Sequence, residues 1–162
     1  MINSFETYAE LIKEVEFAKA NNPKYALYGA DHNWYNEAPS LSGVYLIWHD
    51  KTLVYVGETS NIKKRMRDIQ DTRNHTLRRK VGRMHFSNEQ GFLSPISSKK
   101  FTPEIEDKIT HYMKKNFKIT YIPLMIGRKE IEEYFLHLNP LYNTPSKRRR
   151  NTKVTQPSSS KK

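Results

Sequence analysis

The chain has 162 residues, no cysteine, and 28 Lys and Arg against 17 Asp and Glu, a net charge of +11. That length fits one domain with a tail, and the missing cysteine excludes a disulfide scaffold, a thiolate-held zinc and a cysteine nucleophile. No run approaches the roughly 20 apolar residues of a membrane span, and Glu6, Glu10, Glu14 and Glu16 are foreign to a secretory signal, so an intracellular protein, cytoplasmic or nucleoid-associated, is expected.

Ser4 is placed to cap a first helix with apolar positions Phe5, Tyr8, Leu11, Ile12, Val15 and Ala18, stopped by Asn21-Asn22-Pro23. Residues 24–41 read as loop with a turn of helix. Two short β-branched and aromatic runs follow, Gly43 to Trp48 and Leu53 to Gly57. The polar stretch His49 to Thr52 between them makes the pair a hairpin. Thr59-Ser60-Asn61 offers cap side chains for a helix from Ile62 to Ile69 with basic residues on its exposed faces. A short helix over Leu77 to Gly82, a weak strand at Met84-His85-Phe86 and a loop over 87–101 come next. Thr102-Pro103-Glu104 is a strong helix start, and that helix should reach about Asn116. A strand over Lys118 to Leu124 and a helix from Glu130 to Leu138 complete the folded part. The last helix carries the stripe Ile131, Tyr134, Phe135 and Leu138.

The charge is unevenly spread along these elements. Residues 1–60 hold four Lys and eight acids, whereas residues 61–85 hold nine Lys and Arg against only Asp68 and Asp71. Residues 86–145 are close to neutral, and 146–162 hold seven bases and no acid. Two basic blocks on a near-neutral body are the footprint of a polyanion binder, nucleic acid first. Acidic lipid is the weaker expectation, because no apolar anchoring face accompanies the blocks. The organisation predicted is an N-terminal helix and loop extension over 1–40, a catalytic domain over 41–145, and a basic disordered tail over 146–162.

The hairpin has a peculiar inventory. Tyr45 and Tyr55 lie on its paired strands, each two residues from a glycine, Gly43 or Gly57, and Arg65 follows on the next helix. Glycine near a strand end permits close approach. A phenol donates, accepts or, near cations, gives up its proton. A guanidinium fork matches two phosphate oxygens. Two phenols, a guanidinium and a carboxylate offer a base, a charge stabiliser and a metal ligand for cutting a phosphodiester.

Gly43-Val44-Tyr45, Tyr55-Val56-Gly57, the segment Ser60 to Arg65, Glu132 to Leu136, and Asn139-Pro140-Leu141-Tyr142-Asn143 together resemble the GIY-YIG nuclease superfamily, over about residues 41–145. The resemblance implies an α+β fold, a small central antiparallel β-sheet flanked by helices. It also implies a metal-dependent endonuclease that hydrolyses phosphodiester bonds in DNA with one divalent metal, Mg²⁺ or Mn²⁺. By that resemblance Glu132 holds the metal, with Glu133 as the alternative one position on. Arg65 neutralises charge on the phosphate, Asn143 braces the site, and Tyr45 and Tyr55 share the roles of general base and positioning partner, Tyr45 favoured as base.

Two departures stand out. Glu58 occupies a position where many members carry Lys, and Ile69 stands where several place His or Tyr. His75, just beyond, is a candidate to orient the nucleophile or act as base. Lys63, Lys64, Arg73, Arg78, Arg79, Lys80 and Arg83 are expected on DNA phosphates. The leading reading is a compact stand-alone nuclease, restriction-like or DNA-processing, with DNA as partner ahead of RNA and no membrane association. The alternative is a catalytically impaired nucleic-acid-binding protein that keeps the fold, to which Glu58 and Ile69 give weight.

Overall fold

The computed structural model describes residues 2, 4–28, 34–94 and 98–143. The basic tail and His32 lie outside the described residues. Helix α1 (Tyr8–Asn21), strand β1 (Tyr25–Ala26) and a 3₁₀ turn (Trp34–Glu37) precede the hairpin of β2 (Gly43–His49) and β3 (Thr52–Thr59). Helices α2 (Ile62–Asp68), α3 (Thr76–Phe86) and α4 (Pro103–Asn116), strand β4 (Phe117–Pro123) and helix α5 (Arg128–Leu136) complete it. The strands form one antiparallel sheet in the order β1-β4-β2-β3. The fold is α+β.

The sheet is buried on both faces, which is why β2 is an unbroken run of buried residues, Gly43 to Trp48, with no alternation of apolar and polar. One face packs Val44, Leu46, Trp48, Val56, Ile122 and Leu124 with the buried stripes Leu11/Val15 of α1 and Ile131/Phe135 of α5. The other packs Tyr45, Ile47, Tyr55 and Ile119 with residues of α2, α3 and α4. Strict alternation would set Val54 on the first face beside Val56. Instead the pairing steps from Ile47↔Tyr55 to Trp48↔Leu53 and leaves Val54 as the extra residue of a bulge. Val54 joins Tyr55 in the second core, and its carbonyl accepts from Tyr142 N–H at 2.9 Å.

Several elements differ from the sequence expectation, each for a local reason. Helix α1 starts at Tyr8 rather than after Ser4, because Thr7 and Glu10 form a reciprocal capping box. The segment Met84 to Phe86 is the end of α3, not a strand: the Leu77/Val81 repeat continues the helix past Gly82. Strand β1, inside the expected loop, is too short for any periodicity to show. Helix α5 begins at Arg128 and ends at Leu136, so Leu138 falls outside its stripe and is exposed.

Candidate active site

The site lies where β2, β3, the start of α2 and the turn before α3 meet. Asn61 caps α2, its Oδ1 accepting from Lys64 N–H at 2.8 Å. Ile62 and Met66 fill the core beneath. That orientation turns the Arg65 side chain to the hairpin, where its Nε donates to the Tyr45 hydroxyl at 3.2 Å and its Nη1 to the Asn74 carbonyl at 3.3 Å. Tyr45 and Tyr55 project from the same sheet face with ring centroids 6.1 Å apart. Tyr45 lies across Gly57, its cross-strand partner: a Cβ on Gly57 would collide with the Tyr45 hydroxyl. The glycine of this triplet is there to seat the tyrosine of the other.

His75 caps α3 and is fully buried. Its Nδ1 accepts from Leu77 N–H at 3.2 Å, so the neutral ring carries its proton on Nε2. Nε2 stands 2.9 Å from the Tyr45 oxygen and donates to it. The Tyr45 oxygen thus receives two donors, Arg65 and His75, and its ring lies beside that of Tyr55. Burial pushes both phenols upward, Tyr45 much further. Burial, followed by the positive charges of Arg65 and Arg79, pushes His75 well down, so it is neutral throughout the physiological range.

Glu132 enters from α5, half-buried. Burial and then the neighbouring Glu58 carboxylate raise its pKa, while the Glu58 backbone N–H and Arg65 pull the other way. Its charge also acts on Tyr55, so Tyr55, Arg65 and Glu132 share one electrostatic neighbourhood. Asn143 grips the backbone of β3 twice: Oδ1 accepts from Val56 N–H and Nδ2 donates to the Val56 carbonyl, both at 2.8 Å. This fixes the strand between Tyr55 and Gly57.

Among the described residues no group of three or more His, Asp and Glu could hold a metal ion by itself. A lone half-buried carboxylate whose proton affinity is raised beside a second carboxylate does fit Mg²⁺, which keeps several waters and takes one or two carboxylates plus substrate phosphate oxygens.

The two departures also have a place in the structure. The Glu58 carboxylate is 3.7 Å from Arg128 Nε, and Arg128 Nη1 donates to the Thr59 carbonyl at 2.9 Å. Sequence reasoning missed Arg128. A cation in the first turn of a helix opposes the helix dipole, and that mismatch was the available signal of an acidic partner. Ile69 is a fully buried core residue, and the polar group near Tyr45 comes from His75 instead.

The expected phosphate contacts separate into different classes. Arg78 is 2% exposed and is not a surface cation: it pairs with Glu106 at 2.8 Å and also bonds Thr72, Tyr28 and Thr110. Arg73 pairs with Asp71 at 2.6 Å, and Arg79 donates to the carbonyls of Thr72 and Arg73. Lys80 is half-buried, and Arg83 and Lys64 are exposed. Arg67, not singled out from sequence, is exposed on α2 next to Lys63 and Lys64.

The model of the family described as the GIY-YIG catalytic domain matches residues 19–159, past both bounds of the expected 41–145 unit. No curated protein and no solved structure matches the chain. Among the described residues no helix is long and apolar enough to cross a membrane.

Proposed function

The chain belongs to the GIY-YIG catalytic-domain family, a family of nucleases, and on that premise we propose that it is a metal-dependent endonuclease that hydrolyses phosphodiester bonds in DNA. The observation that carries this reading is the convergence of Arg65 on two phenols beside Glu132. The guanidinium touches Tyr45, acts on Tyr55, and among the described residues has no carboxylate as a hydrogen-bond partner, so its charge is left for a phosphate.

Arg65 binds a non-bridging oxygen of the scissile phosphate and offsets the charge that builds there. Tyr55 takes the proton of the attacking water. Tyr55 is favoured over Tyr45 because burial pushes the fully buried Tyr45 phenol up much further, whereas Tyr55 keeps 7% of its surface exposed. Tyr45 is then the positioning partner, and His75 holds Tyr45 by a fixed tautomer. The working base is the phenolate fraction of Tyr55, so cleavage rises with pH through the alkaline range. Glu132 would hold the divalent metal, Mg²⁺ or Mn²⁺, which when bound supplies charge stabilisation at the phosphate and the leaving oxygen. Asn143 keeps β3 in register beneath.

The test is cleavage of duplex, single-stranded and branched DNA with Mg²⁺ or Mn²⁺. Chelation with EDTA should abolish cutting. Arg65→Ala should lower the rate by roughly 10²–10³-fold, the loss typical of one such stabilising donor, and Glu132→Gln should raise the metal concentration needed. Tyr55→Phe should abolish the alkaline rise, whereas Tyr45→Phe should lower the rate and keep it. Arg65→Ala and Glu132→Gln cutting like the parent would end the reading.

A further inference from the structure

Helix α2 carries cations on two faces. Arg65 turns inward to Tyr45. Lys63, Lys64 and Arg67 turn outward and share a face, as residues three and four apart do. That face and the 3₁₀ turn Trp34–Glu37 enclose a pocket of about 380 Å³, within the range of ligand clefts, roughly 300–1,000 Å³. Tyr35 and Asn36 line it from the turn, Asn61 from the helix start.

Three features distinguish this pocket from a solvated basic surface. First, the side chains of Lys63, Lys64 and Arg67 make no hydrogen bond or ion pair among the described residues, and the first turn of α2 has no acid. Three like charges repel within one turn, and an anion between them removes that cost. Second, the backbone donors here are already used: Ile62 N–H bonds the Leu41 carbonyl at 2.8 Å, Lys63 N–H the Pro39 carbonyl at 3.0 Å, and Lys64 N–H the Asn61 side chain. These bonds tie the loop wall to the helix, and any pull on an anion comes from the side chains. Third, Asn61 uses its oxygen as the cap, so its amide NH₂ remains as a donor.

We propose that this pocket holds one nucleotide of the DNA strand being cut, its phosphate on Lys63, Lys64 and Arg67 and its base against the Tyr35 ring and the amides of Asn36 and Asn61. The strand rests on the nuclease reading above; the pocket's chemistry does not. A helix is about 10–12 Å across with its side chains, and a duplex strand rises about 3.4 Å per nucleotide. The pocket therefore lies a few nucleotides from the phosphate held by Arg65 on α2. Stacking on Tyr35 is tolerant of base identity, whereas amide side chains read base edges. The pocket is thus where a preference for one base near the cut would arise.

Two assays test it. Binding of a short fluorescent oligonucleotide, single-stranded and duplex, is measured in EDTA so that nothing is cut, and cleavage products made with Mg²⁺ are sequenced at their ends. The triple variant K63Q/K64Q/R67Q should weaken binding at least about tenfold and reduce the slope of log Kd against log salt by about 1, since each phosphate contact adds about 0.9. Tyr35→Leu, which keeps an apolar side chain in place, should weaken single-strand binding about fivefold or more and loosen the base preference near the cut. K114Q/K115Q, which removes two charges from α4, is the control for lost charge away from the pocket and should change binding less than about twofold.

Unchanged binding and cut-site preference in both pocket variants, while the parent cuts, would overturn the pocket and leave the nuclease reading intact. An equal loss in the control would overturn it too. A parent that binds but cuts nothing with any metal, with binding still lost in the pocket variants, would remove the nuclease reading and keep the pocket.

Discussion

Two corners of this protein are built from the same three side-chain types. In one, Arg78 bonds the Tyr28 hydroxyl at 3.0 Å and pairs with Glu106 at 2.8 Å. In the other, Arg65 bonds the Tyr45 hydroxyl and lies in the field of Glu132. The first corner is closed. Glu106 also accepts from Thr72 and from Phe101 N–H, and Arg78 further donates to Thr72 and Thr110. The second is open. Glu132 has its proton affinity raised rather than neutralised by an arginine pair, and among the described residues Arg65 bonds the Tyr45 hydroxyl and the Asn74 carbonyl and no carboxylate. A saturated polar network specifies a fold; an unsaturated one of the same composition can accept a ligand. Arginine, tyrosine and glutamate together are therefore no signature of chemistry until their valences are counted.

The largest effect expected separates the two corners by stability. Arg78→Ala removes a buried guanidinium and leaves the half-buried Glu106 without its ion pair, and should cost about 3–5 kcal/mol, read as a lowered urea midpoint. Arg65→Ala should cost about 1 kcal/mol, the ordinary net value of a hydrogen bond, while losing cleavage. Equal losses of stability would mean that Arg65 is as structural as Arg78.

Each corner also leans on a glycine. A Cβ on Gly57 would collide with the Tyr45 ring, and one on Gly82 would collide with the ring of Phe101, which packs α3 against α4. Gly57→Ala should cost about 1–3 kcal/mol by overpacking and displace Tyr45 from Arg65, so cleavage should fall at least about tenfold. Gly82→Ala meets a similar clash, but alanine returns up to about 1 kcal/mol of helix propensity. Cleavage by that variant should match the parent at a temperature where both are folded. Full activity in Gly57→Ala would show that the close seat of Tyr45 is not required.

The legibility of these corners in the sequence differs for the same reason. The hairpin and α4 are written in local signals: β-branched runs around a polar turn, and a Thr-Pro-Glu start that places the first turn at Pro103. The convergence of Tyr45, Tyr55 and Arg65 follows from that hairpin and the next helix, so it could be read from spacing. The closed corner could not. Arg78 sits in a run of basic residues, and nothing within four positions marks it as the one that turns inward; its partner Glu106 is 28 residues away. Arg128 and Glu58 are a second such pair, joined only when α5 packs on β3. The bulge at Val54 is equally silent, because a hairpin read by alternation has no place for an extra residue.

The smallest effect tests whether His75 belongs to the open corner through its charge state. Burial and the guanidinium groups of Arg65 and Arg79 hold it well below its ordinary pKa. Below pH about 6.5 the unfolded chain therefore binds a proton that the folded chain refuses, so stability rises with pH up to that value and falls as pH drops beneath it. Glu132 has the opposite sign: its raised pKa makes stability fall as pH rises above its unfolded value. Its contribution is common to parent and variant and cancels in their difference. His75→Gln keeps an N–H donor within reach of Tyr45 but does not titrate. Between pH 7 and 5 the parent should therefore lose about 1–2 kcal/mol more than the variant, up to about 1.4 kcal/mol per pH unit, measured by urea unfolding at each pH. At pH 8 the two should unfold at nearly the same midpoint. Parallel pH curves would mean that His75 is protonated in the folded protein and donates from both nitrogens, which would break its bond from Leu77 N–H.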